Sequence, residues 1–195
     1  MEEMALEQKI KRQQESKIMY KWIYHTPDNF SDMVMYSDGT YLTGLSFIHS
    51  LNEQKHDENA EEKLIDIFKE TIHWLDIYFS GQEPDFVPNY KINGFTAFRK
   101  EVVDEMNRIP YGKTVTYGEI AKRIAEKHGI EKMSAQAVGG AVGWNPICLI
   151  VPCHRVMGAN GKITGYGGGI ENKIGLLELE SKVNYDNKRE SDSSK

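Results

Sequence analysis

Cysteine and histidine stand side by side in Val151-Pro152-Cys153-His154-Arg155-Val156. The attacking species is a thiolate rather than a thiol, so a cysteine flanked by an imidazole and a guanidinium is a candidate activated nucleophile. Arg155 adds a fixed positive charge of the kind that lowers a thiol pKa. The opposing reading makes Cys153 a small buried hydrophobe, the commoner fate of a free cysteine. Cys148 lies five residues upstream. If Ile147 to Val151 is an extended strand, about 3.3 Å per residue puts the two cysteines roughly 16 Å apart. A disulfide needs Cα atoms within roughly 7 Å. On that reading Cys148 is a core thiol. Two cysteines also make neither a disulfide framework nor a four-thiolate zinc site.

These residues need elements to hold them. Asn145-Pro146 is a turn signal, and Ile147-Cys148-Leu149-Ile150-Val151 is an apolar run of strand length. Upstream, Thr116-Tyr117-Gly118-Glu119 spells a capping box that opens a helix to about Lys127. His128-Gly129 breaks it, and Ser134 caps a second helix to about Val142, which suggests a helix-turn-helix. The second helix is nearly bald: Ala135, Ala137, Val138, Gly139, Gly140, Ala141 and Gly143. Each interior glycine costs roughly 0.5–1 kcal/mol. Either a bulky ligand lies against its backbone or a neighbouring helix packs tightly, and the segment alone leaves both open.

Phe98, Val102, Val103 and Met106 repeat at helical spacing ahead of Ile109-Pro110-Tyr111-Gly112. From Met19 to Phe47, apolar runs alternate around Pro27-Asp28 and Asp38-Gly39, which predicts two or three antiparallel strands. A polar loop is expected over 52–60. Leu64, Ile65, Ile67, Phe68, Ile72, Leu75 and Phe79 predict an amphipathic helix over 61–79, stopped at Gly81. Residues 82–93 read as a linker, 158–169 are glycine-rich, and 170–180 form a last helix. The fold class expected is α/β (α+β). A small mixed sheet-plus-helix domain over 18–88 precedes a mainly helical domain over 89–180 carrying the helix-turn-helix. Residues 1–17 read as a flexible extension and 181–195 as a disordered tail.

Composition sets the outer limits. Apolar residues are 39% and charged residues 27% of 195, an ordinary globular mixture that excludes a wholly disordered or collagen-like chain. No run approaches the roughly 18 apolar residues of a membrane span. The first residues are charged and lack an apolar signal core, so a cytoplasmic protein is expected. Net charge is −5, but residues 1–93 carry −8 and residues 94–181 carry +2. Indiscriminate nucleic-acid binding is disfavoured, while a local positive face in the second half remains open.

Longer motifs sharpen this. Thr96-Ala97-Phe98-Arg99, Ile109 through Tyr117, Ala137-Val138-Gly139-Gly140-Ala141, Asn145-Pro146, Ile150 through Val156, Gly161, Tyr166-Gly167-Gly168, and Lys173 with Leu176-Leu177 and Glu180 closely resemble the O6-alkylguanine-DNA alkyltransferase family. Tyr78-Phe79-Ser80-Gly81 resembles the end of that family's N-terminal domain. The resemblance implies binding of double-stranded DNA through the minor groove and flipping of an O6-alkylguanine into a pocket. Small residues on the bald helix suit a groove only about 6 Å wide.

By the same resemblance, Cys153 takes the alkyl group irreversibly, once per molecule, and extension to O4-alkylthymine is implied. His154 acts as base through a water, Glu180 orients His154, and Asn145 braces the turn. Tyr117 bonds the flipped base, and the Gly167 amide meets its O6 beside a wall formed by Tyr166. Backbone carbonyls at Cys153 and Val156 accept from the guanine amine. Gly118, Gln136, Ala137, Gly140, Arg155, Ala159 and Gly168 join the expected DNA- and substrate-facing set. No cofactor, metal or membrane is implied, and a monomer is expected.

Two positions depart from the family pattern. Gln136 stands where an arginine usually precedes Ala-Val-Gly-Gly, and it lacks that residue's charge and stacking plane. Trp144 precedes Asn145 where a basic or small residue is common, which removes an expected phosphate contact. A non-catalytic protein that flags alkyl lesions and a cysteine hydrolase using Cys153 and His154 are the alternative functions.

Overall fold

The computed structural model describes residues 18–50 and 59–192, with side chains as far as 181. The expected extension at 1–17 and most of the polar loop at 52–60 lie outside the described residues. Three antiparallel strands form as expected: β1 (Tyr20–Tyr24), β2 (Met33–Ser37) and β3 (Leu42–Phe47). The turn signals at Pro27-Asp28 and Asp38-Gly39 sit at the two connections. In the second, the Asp38 carboxylate accepts from the Thr40 and Tyr41 amides.

A short β4 (Glu61–Glu62) completes the sheet order β3-β2-β1-β4, parallel to β1. This corrects the helix expected from residue 61. The Glu61 amide donates to the Met19 carbonyl at 2.8 Å, so pairing with β1 overrides local helical preference. Helix α1 is Asp66–Phe79, and Leu64 falls outside its buried face, 40% exposed. Gly81, at φ 85°, ends the helix as expected.

Residues 82–93 are not a loose linker. The Leu42 amide donates to Asn89 and the Lys91 amide donates to Leu42, so the segment lies along β3. The helices of the second half follow: α2 (Ala97–Met106), α3 (Tyr117–His128), α4 (Ala135–Gly143) and α5 (Ile170–Asp192). Thr96, Thr116 and Ser134 each accept from the amide three residues on. The capping box at Thr116–Glu119 is complete, and Gly129 ends α3 in the left-handed region. Helices α3 and α4 make the expected helix-turn-helix. Helix α5 runs to Asp192, into the segment expected to be a disordered tail, because Lys182 to Asp192 holds no glycine or proline to stop it. Val115–Thr116 (β5) pairs with Val156–Met157 (β6).

One core runs through both halves. Met33, Leu45 and Phe47 of the sheet, Phe68 and Tyr78 of α1, Met106 of α2 and Ile120 of α3 are all fully buried in it. Leu45 carries the join to the segment that leads to Cys153. Its amide donates to the Pro146 carbonyl at 2.9 Å, and its carbonyl accepts from the Cys148 amide at 2.8 Å.

Candidate active site

The segment that delivers Cys153 is not the strand expected. Residues 147–151 form successive turns, with Leu149 at φ 69°. The Val151 amide returns to the Ile147 carbonyl at 3.0 Å. Compaction brings Cys148 within hydrogen-bonding reach of Cys153 and overturns the 16 Å separation expected of a strand. Neither cysteine is in a disulfide, and both are buried.

Asn145 holds this knot together. Its Nδ2 donates to the Val151 carbonyl at 2.9 Å, to the Ile147 carbonyl at 3.2 Å and to Cys153 Sγ at 3.1 Å. Its Oδ1 accepts from the Ile147 amide. The Tyr166 hydroxyl lies 3.8 Å from the same sulfur. These contacts set the thiol's acidity. The Cys148 hydrogen bond pulls it down, burial pushes it up, and Asn145, Tyr166 and the Lys173 charge pull it down again, to about 7.

Cys153, His154 and Arg155 form a single 3-10 turn after Pro152. His154 is fully buried, and its Nε2 lies 2.8 Å from Glu180 Oε1. Its Nδ1 is buried with no partner among the described residues. Burial pulls the imidazole below its ordinary value despite Glu180. Glu180 gathers four further donors. Arg155 reaches it through Nε at 2.9 Å, the Gly112 amide at 3.0 Å and the Tyr78 hydroxyl at 2.8 Å, with Arg155 Nη2 at 3.0 Å. Burial pushes its carboxyl up, but His154 and Arg155 outweigh it and hold it at about 2.

A family profile described as 6-O-methylguanine DNA methyltransferase, DNA binding domain, matches residues 97–182. The methylated-DNA–protein-cysteine methyltransferase of Mycobacterium tuberculosis is 40% identical over 160 residues, covering 80% of this chain and 91% of that one. That of Haemophilus influenzae is 35% identical over 170 residues, covering 84% and 88%. The crystal structure of Mycobacterium tuberculosis OGT in complex with DNA superposes with a TM-score of 0.71 at 37% identity, covering 84% of this chain and 93% of that one.

The chain belongs to the methylated-DNA–protein-cysteine methyltransferase family.

In this methyltransferase the expected catalytic set of Cys153, His154, Glu180 and Asn145 is brought together at one place. Tyr117 lies at the start of α3, half-buried against Gly139 and within hydrogen-bonding reach of Thr164. Gly118, Gln136, Ala137, Gly140 and Ala159 are exposed. Tyr166 and Gly167 are half-buried, while Gly168 is buried where a Cβ would lie 2.5 Å from the Tyr166 ring. Val156 is buried, and its carbonyl already accepts from Lys173 Nζ at 2.6 Å.

Arg155 requires a correction. It was expected to face DNA or substrate, yet it is buried, with Nη1 on the Ile109 carbonyl at 2.8 Å and the rest of its fork on Glu180. The carboxylate consumes the charge that would have met a phosphate.

Sequence reading assigned no site role to three residues found here. Tyr78 bonds Glu180 and lies 3.3 Å from His154 Nε2. Lys173 is fully buried with its ammonium 5.8 Å from the Tyr166 ring centre. Asn172 Nδ2 donates to the Gly168 carbonyl at 2.7 Å, and its Oδ1 accepts from the Ser31 amide. Tyr78 and Lys173 stood within the quoted motifs, but their partners are remote in sequence.

Proposed function

We propose that this chain repairs alkylated DNA by moving the alkyl group of an O6-alkylguanine onto Cys153 Sγ. The observation that carries the reading is the setting of that sulfur, which receives the Asn145 amide at 3.1 Å among neighbours that pull the thiol down to about 7. Near neutral pH a large fraction is thiolate. Cys153 is only 2% exposed, so a duplex cannot present its lesion without extruding the base.

Cys153 Sγ forms a bond to the alkyl carbon as the carbon–O6 bond breaks. The guanine keeps that electron pair and takes up a proton. With Nε2–H donating to Glu180, His154 Nδ1 offers its lone pair to the cysteine proton, relayed by water. The anionic Glu180 steadies the imidazolium that results. The product is a thioether, which no cellular thiol reverses, so each molecule acts once. O4-alkylthymine presents the same alkyl–oxygen bond and is included in the proposed range. His154 makes no hydrogen bond to the Cys153 sulfur among the described residues, which supports alkyl transfer over a cysteine-histidine hydrolase. A flag protein has no need of an activated thiol.

Incubation with duplex DNA containing O6-methylguanine tests the reading. Intact mass should rise by one methyl group, mapped to Cys153 and not to Cys148. Repair should plateau at one lesion per protein, and Cys153→Ala should abolish it. An adduct elsewhere, or repair far beyond that ratio, overturns the reading.

A further inference from the structure

The replacement of a basic or small residue by Trp144 does not leave its position without charge. Trp144 caps the C-terminal end of α4, and the Arg99 guanidinium stacks over its indole with 4.1 Å between the guanidinium carbon and the ring centre. Phe95 packs on the same indole at 5.9 Å between centroids. Gly94, at φ 72°, brings its backbone close to the ring, and its carbonyl accepts from Arg99 Nη1 at 3.5 Å. The Arg99 side chain is thus fixed by Trp144 and the Gly94 carbonyl before any ligand arrives.

Its charge is also unspent. Lys100, Lys122, Arg123 and Lys127, the other cations of α2 and α3, each pair with a carboxylate. Among the described residues, no carboxylate lies within ion-pair distance of Arg99. A guanidinium held by stacking keeps its remaining donors free and is weakly hydrated, which suits it to a phosphate.

The helix fixes where such a phosphate lies. Gln136, Gly140 and Gly143 are exposed along α4, at helical spacing on one side. Trp144 follows at the end of that row. Gln136 and Trp144 are eight residues apart, about 12 Å along the axis. The minor groove is only about 6 Å wide. A helix that crosses the groove with Gln136 at the extruded base puts its C-terminal end beyond it, at the sugar–phosphate wall.

We propose that the Arg99–Trp144 platform is a binding site for a backbone phosphate of duplex DNA, engaged when α4 occupies the minor groove. This rests on the alkyl-transfer reading above. Arg99 is a DNA-binding residue and Trp144 positions it.

The test measures affinity for a short unmodified duplex across a series of potassium chloride concentrations. Loss of one phosphate contact should reduce the slope of log affinity against log salt by about 0.9 in Arg99→Gln. Affinity at low salt should fall several-fold. Arg99→Lys retains the charge without the stacking plane, so its slope should stay while its affinity drops. Trp144→Leu should behave like Arg99→Lys. Thermal melting identifies any variant that fails to fold, and Arg99→Lys then decides. An unchanged slope in folded Arg99→Gln overturns the platform, as does full affinity in folded Trp144→Leu. Methyl transfer by the unsubstituted protein keeps the two ideas separable. If it repairs DNA and the slope is unchanged, only the platform fails. If it repairs none, the reading beneath it fails too.

Discussion

At Cys153 the acidity of the thiol comes from amide, thiol and hydroxyl neighbours rather than from the adjacent histidine. His154 turns away to Glu180, and Cys148, Asn145 and Tyr166 surround the sulfur. Cys148 contributes the largest of these effects, so it is more than core filling. One hydrogen bond is worth about 0.5–1.5 kcal/mol net, and 1.36 kcal/mol is one pKa unit. Cys148→Ala should therefore move the pH–rate profile for reaction with free O6-benzylguanine alkaline by up to about one unit. The rate at pH 7 should fall several-fold, while the rate at high pH recovers. The sign follows from removing a donor to the charged form, which raises the pKa from about 7 toward 9. A stopped-flow profile that shifts toward acid, or not at all, contradicts this account.

Helix α4 separates the two explanations of its glycines. Gly139 lies against the Tyr117 ring, where an added Cβ would meet it at 3.8 Å, an ordinary contact, so packing is present there but tolerates a methyl group. Gly140 and Gly143 have nothing within 4 Å of an added Cβ, and both are exposed. Nothing inside the molecule requires glycine at those two positions. Gly140→Ala should stabilise the helix by about 0.5–1 kcal/mol and raise Tm by roughly 1–4 °C. It should also slow repair of duplex DNA, because the new methyl group stands on the face that meets the groove. Calorimetry and single-turnover repair read the two effects separately. A stabilised variant with undiminished duplex repair would remove close DNA approach as the reason for Gly140. The ends of α3 and the start of α4 were legible in the sequence because Thr116, Gly129 and Ser134 act on bonds within a few residues. The turns at 147–151 were not. Their backbone is shaped by Asn145 and by Leu45, about a hundred residues away. An apolar run reports burial there without reporting its path.

Across the whole molecule, Glu180 is the point where distant segments meet. Tyr78 reaches it from α1, Gly112 from the connection between α2 and α3, and His154 and Arg155 from the 3-10 turn. The family motifs made His154 and Glu180 legible as a pair, but only folding shows that α1 is tied to them. A buried cluster of this kind is stable only while its charges stay paired, and this makes its acid response predictable. Burial depresses the His154 value below 6.5, and its partners hold Glu180 at about 2 against an ordinary 4.5. Both values are lower in the folded chain, so the unfolded chain binds more protons as pH falls. Stability from His154 is fully present above 6.5 and is lost as acidity rises from there. Glu180 adds a second loss from about 4.5 downward toward 2. Tm should therefore begin to drop as pH falls through 6.5, before surface carboxylates titrate. His154→Asn keeps an amide donor for Glu180 but removes the titrating ring. Its Tm should start lower at neutral pH and then stay flat until the carboxylate range. Melting curves that fall equally through 6.5 in both proteins would place the early acid loss outside this cluster.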